Sequence, residues 1–224
     1  MKFNTILVAV VSAIAVIAPA SASSLCSNTL DCTLELTQAN SSSGFGTGNF
    51  GTVQLVGDGT SVVTITVTLN SGWDIIKTGF PGSFGFTDSL SGTPTIGNFS
   101  SSLYSGSTTD TTQDLHFDGF GSTSDAAATT GPHNGAGLQE VSFTVTQTGL
   151  TNVNDLLNLS GAPAGDGSVY FIVDAGMIGG NTGLLGVTGT AVPEPSSYAF
   201  LLAAFGAIIW IARRRQKLLT GSQA

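Results

Sequence analysis

Asp110, Asp114 and Asp118 recur at every fourth position and flank His116, one of two histidines in the chain. Hard cations gather carboxylate and carbonyl oxygens, so calcium is the ion such a trio would take, although the twelve-residue EF-hand pattern is absent. On a helix the spacing would line one face, but Phe117, Gly119 and Phe120 argue against a helix, so the trio is expected on a loop and strand edge. A solvated acidic edge is the favoured reading, with bound calcium as the alternative. The other histidine is His133, and no spacing brings it to His116 to build a metal site. A serine hydrolase of the α/β type needs its nucleophile on a Gly-x-Ser-x-Gly turn, and that pentad does not occur. Paired carboxylates also serve glycosidases, whose clefts carry aromatic rings to stack sugars; only Trp73 and Tyr104 look available here. The run Gly46-Thr47-Gly48-Asn49-Phe50-Gly51 has dinucleotide-fingerprint spacing, but a strand is expected after it where a helix N-terminus would be needed, so it reads as a turn. The chemistry-bearing residues therefore point away from an enzyme and away from a resident cofactor, with calcium as the one ion to test.

Cys26 and Cys32 are the only cysteines and follow a secretion-like N-terminus, so they are expected to form a disulfide. Their spacing fits neither a two-residue redox motif nor a zinc knuckle. Charge narrows the partners further. Between residues 23 and 192 lie thirteen Asp and Glu and a single cation, Lys77. So acidic a surface repels phosphate backbones, which excludes nucleic acid as a partner, and keeps the domain soluble by self-repulsion.

The elements that position these residues read as short strands. Residues 60–69 alternate Val63, Ile65, Val67 and Leu69 with Thr64, Thr66 and Thr68, a period of two that marks a half-buried strand. Residues 141–146 repeat the pattern, and 168–174 read as a strand covered on both faces. Further strands are expected at 30–37, 52–56, 82–87, 97–104 and 115–120. Residues 152–159 look briefly helical, with Thr151 or Asn152 as cap. Residues 122–137 are small and polar and are expected to form a long exposed loop, the first place to look for binding. Many short strands punctuated by turns predict an all-β, antiparallel sandwich of jelly-roll type, spanning residues 23–190, rather than an α/β arrangement.

The two ends differ from this domain. Met1-Lys2, an apolar stretch and Ala20-Ser21-Ala22 form a signal peptide over residues 1–22, with cleavage expected after Ala22; a retained anchor is the alternative. Residues 196–212 are apolar and at roughly 1.5 Å per residue rise about 25 Å, enough for one C-terminal transmembrane helix with snorkelling flanks. Arg213, Arg214 and Arg215 follow, which places residues 218–224 as a short cytoplasmic tail and the acidic domain across the membrane. Pro193 and Pro195 around Glu194 should keep the connection extended and accessible.

Pro193, Glu194 and Pro195, the apolar segment and the arginine cluster together resemble the PEP-CTERM sorting signal, here over residues 191–217. The resemblance implies an exosortase partner that recognises the tail and processes the chain during export. It also implies a Gram-negative bacterium that makes extracellular polysaccharide, and a cell-surface or extracellular-matrix destination after transient membrane anchoring. The order of segments from 60–69 through 115–121 to 170–174 and 181–186 also looks like ectodomains of such proteins and implies no activity. The expected function is a non-enzymatic structural or adhesive protein. The alternatives are a calcium- or polysaccharide-binding module using residues 110–137 and, further off, a secreted glycan hydrolase.

Overall fold

The alternation in residues 60–69 becomes a strand, Val62–Leu69, whose Val63, Ile65, Val67 and Leu69 are buried while the residues between them are half-buried. The computed structural model describes residues 25–189 apart from 80, 111, 113, 134, 135 and 162–164. In chain order the strands are β1 (Asp31–Leu36), β2 (Gln38–Ala39), β3 (Gly51–Gly57), β4 (Val62–Leu69), β5 (Trp73–Ile75), β6 (Phe84–Phe86), β7 (Thr95–Gly97), β8 (Ser105–Thr109), β9 (Leu115–Phe117), β10 (Gly121–Thr123), β11 (Asp125–Thr130), β12 (Glu140–Thr146), β13 (Phe171–Met177) and β14 (Thr182–Gly186). Two 3-10 turns, Ser41–Ser43 and Val153–Leu156, are the only helical elements among the described residues. The second lies within the expected 152–159 and is capped by Asn152, whose side chain accepts from the Asn154 amide.

All strand pairings are antiparallel and build two main sheets. The first runs β1-β3-β4-β12-β7, and the second runs β2-β14-β13-β6-β11-β8, with β5 paired to the far half of β13. The sheets face each other across one core. Phe143 of the first sheet stacks on Phe84 of the second with ring centroids 5.1 Å apart, and Phe86 lies almost parallel to Phe171 at 6.0 Å. The all-β, antiparallel sandwich expected from the strand pattern is present.

The second sheet is buried on its outer face as well. There the hairpin of β9 and β10 lays Phe117, together with Phe120, over Ala126, Val169, Ile172 and Leu184 as a smaller core. Strand β13 thus sends Phe171, Val173 and Ala175 into the main core and Ile172 into the small one, which explains its unbroken run of apolar residues.

Two expectations are corrected. Residues 122–137 are not one exposed loop: β11 runs through their middle between β6 and β8, with Ala126, Ala127 and Ala128 fully buried. Burial here needs no large side chain, because Phe84 and Phe86 on the neighbouring strand supply the volume; Ala127 pairs with Phe84, and Ala126 pairs with Gly85 beneath the Phe117 ring. Residues 97–104 are not one strand either. Strand β7 ends at Gly97, where Asn98 takes a left-handed φ of 52°, and β8 begins only at Ser105.

Cys26 and Cys32 form a disulfide with Cα atoms 5.5 Å apart, and both are buried. Asn154 secures the same segment, accepting from the Cys26 amide at 2.9 Å and donating to its carbonyl at 3.2 Å. The signal peptide expected at 1–22, the helix at 196–212 and the tail at 218–224 lie outside the described residues. Among the described residues no helix is long and apolar enough to cross a membrane.

Candidate functional site

The acidic trio is not brought together. Asp110 closes a local turn, accepting from the amide and hydroxyl of Thr112 at 2.8 and 2.6 Å, and these bonds hold its carboxyl below the usual range. Asp114 and Asp118 are exposed at opposite ends of β9, four residues apart, or about 13 Å along a strand. The helical spacing that groups them in sequence is absent because the segment is a hairpin. Asp118 instead borders a second cavity of about 260 Å³ that also contains Asp174 and Thr78. His116 and His133 are both exposed. The two aromatic residues considered for sugar stacking are structural: Tyr104 is 2% exposed and donates to the Ile75 carbonyl at 2.7 Å, and half-buried Trp73 packs edge-on against Phe45 and Phe50. The glycine-rich run at 46–51 leads into β3, as the turn reading requires.

A different group converges at one end of the sandwich, around a cavity of about 560 Å³. Asp125 opens β11 and pairs with Phe86 of β6 on one side and Thr109 of β8 on the other. The chain leaving β6 therefore carries Asp88 back beside Asp125, although the two are 37 positions apart. Asp125 is fully buried; it accepts from the Thr109 hydroxyl at 2.9 Å and the Ser124 hydroxyl at 2.6 Å. The Ser124 hydroxyl in turn accepts from the Asp88 amide at 3.2 Å. Burial raises the Asp125 carboxyl above its ordinary range. Asp88 is pushed up to about 6, first by burial and then by the charge of Asp125, against hydrogen bonds from Gln147 and the Leu90 amide.

Polar accounting sets this cavity apart. Among the described residues four buried side-chain oxygens have no hydrogen-bond partner, and three of them are Thr87 Oγ1, Asp88 Oδ2 and Gln147 Oε1. Thr87 and Asp88 line the cavity; Gln147, which follows β12, lies behind its wall, its Nε2 donating at 3.3 Å to the carbonyl of Gly92, which does line it. Thr87 is 2% and Gln147 5% exposed. Buried polar groups are normally satisfied, so three such oxygens close to one acidic pair concentrate the unmet polar demand of the described residues at this end of the sandwich. The sequence signal for this site was slight: Asp125 stands before three alanines inside the stretch read as a loop, and nothing near it repeats.

In sequence the described β-sandwich is followed by the Pro193-Glu194-Pro195 segment. Residues 191–216 match the PEP-CTERM protein-sorting motif, so the chain carries that signal, which implies exosortase processing, export and membrane-associated sorting. No curated protein and no solved structure matches the chain.

Proposed function

We propose that this chain is a non-enzymatic structural or adhesive protein of the cell surface or extracellular matrix, delivered there by an exosortase. The observation that carries the reading is the sorting motif at 191–216, which begins five residues after β14 ends at Gly186. Pro193, Glu194 and Pro195 are the segment the exosortase grips, residues 196–212 hold the chain in the membrane, and Arg213, Arg214 and Arg215 keep the far end cytoplasmic. The signal peptide at 1–22 is removed on export. An antiparallel sandwich with one continuous core supports a role in contact and scaffolding.

The test is the intact mass and location of the protein in its native host, with and without the exosortase. Loss of residues 1–22 and of the segment beyond Pro195, with surface release only when the enzyme is present, is the expected result. A full-length tail in the inner membrane of both strains would overturn the sorting reading. Sustained hydrolysis of a glycan or peptide by the purified mature chain would overturn the non-enzymatic one.

A further inference from the structure

We propose that the end of the sandwich around Leu159 is a second contact surface for the exosortase, beside the Pro-Glu-Pro segment itself. The inference rests on the sorting reading and concerns what the folded domain adds to it. Its first step is the length of the connection. Gly189 is the last described residue, and only Thr190, Ala191 and Val192 separate it from Pro193. Four steps of chain span at most about 14 Å, so an enzyme that closes on Pro193 works within that distance of the folded domain. Gly189 itself lies against the sandwich: a Cβ there would be 3.1 Å from the Tyr170 ring and 3.4 Å from the Leu25 side chain.

The strand pairings say which surface the enzyme meets. The Val187 carbonyl accepts from the Tyr170 amide, Phe171 pairs with Phe86, and Phe86 pairs with Asp125, so the chain leaves the second sheet at the end that holds the cavity of about 560 Å³. With strands about 4.8 Å apart, the three steps from β14 to β11 put this cavity roughly 15 Å from the exit. Residues 153–159 cross the same end from sheet to sheet: the Val153 amide donates to the Thr29 carbonyl and the Asn158 amide to the Thr87 carbonyl. Leu159 lines the cavity and is 49% exposed, with half-buried Leu90 also in its lining. Open apolar surface of this kind is a contact site, and the enzyme that grips the tail is the partner the short connection forces into reach. The chain's own Glu194 is a poor occupant, because it would add a third carboxylate beside Asp88 and Asp125. Asp58 and Asp155 stand at this end too, whereas Lys77 follows β5 at the other, so the matching enzyme surface is apolar with basic side chains around it.

The experiment follows removal of the tail from the full chain in its native host by pulse-chase. Leu159→Glu is expected to slow processing roughly fivefold or more, as loss of a central apolar contact does. Ile178→Glu, on a residue 55% exposed at the opposite end, should be processed as the unaltered chain is. Both changes replace exposed side chains, so both variants should melt as the unaltered chain does. A spacer of about ten Gly and Ser residues inserted after Gly189 should also slow processing, because it lowers the effective concentration of one contact once the other is made. An unaltered rate for Leu159→Glu, equal slowing by Ile178→Glu, or processing of the spacer variant as fast as or faster than the unaltered chain would overturn the proposal and leave the sorting reading in place. Tail removal from the unaltered chain in a strain without the exosortase would overturn the sorting reading itself. A purified chain that dimerises through Leu159, with processing unaltered by Leu159→Glu, would assign the face to a second copy instead.

Discussion

Gly85 shows how much one missing side chain decides. A Cβ at this position would lie 2.5 Å from the Phe117 ring, within a central strand whose neighbours are fixed by hydrogen bonds. Gly85→Ala should therefore push Phe117 off the sheet and lower stability by about 1–3 kcal/mol, measurable by denaturant unfolding. A loss below about 0.5 kcal/mol would mean that the ring moves aside freely. The reciprocal change, Phe117→Ala, empties the small core and is expected to cost about 3–5 kcal/mol. At this scale the sequence was readable where a residue acts with its near neighbours. Cys26 with Cys32, and Asn152 as a cap, both interact within a few positions. It was unreadable for Asp88 and Asp125, because their meeting is set by the β6–β11 register and by no local pattern.

Strands with one less buried face announce themselves by alternation, and β4 and β12 do so because polar residues, mostly threonine, alternate with apolar residues buried in the core. Strand β11 could not be recognised in this way: its neighbours provide the bulk, so its own residues stay small on both faces. The N-terminal segment is secured by two separate devices, the disulfide and the Asn154 bonds to Cys26. Replacing both cysteines by serine is expected to cost about 2 kcal/mol, the value for so short a closed loop, and to leave the sandwich folded because Asn154 still holds the backbone. Equilibrium unfolding of the double variant checks this, and collapse of the fold would show that the disulfide alone organises the segment.

The whole domain responds to pH through its buried acids. Asp174 accepts from the amide and hydroxyl of Thr78, yet burial still raises it from an ordinary 3.8 to about 6, with Lys77 only partly opposing. For an almost fully buried carboxyl that rise corresponds to roughly 3 kcal/mol. The folded state holds a proton that the unfolded chain releases near pH 4, so this contribution is complete below about 4 and disappears as pH rises through 6. Asp88 acts in the same direction. Asp58 opposes them: amides of Thr60, Ser61 and Val62 hold it well below the usual range, so its contribution is lost only under stronger acid. In EDTA the melting temperature should rise as pH falls from 7.5 to about 5, and Asp174→Asn should flatten the slope. A melting temperature that falls over this range would contradict the assignment of these acids.

Strand β14 leads toward the sorting segment, and it is flanked on both edges, by β13 along five residue pairs and by β2 along two. A pull applied to the chain along the axis of β14 would load all of these pairings at once. Its hydrogen bonds then share the force in shear and must break together, whereas a strand at the sheet's margin pulled sideways would unzip one bond at a time.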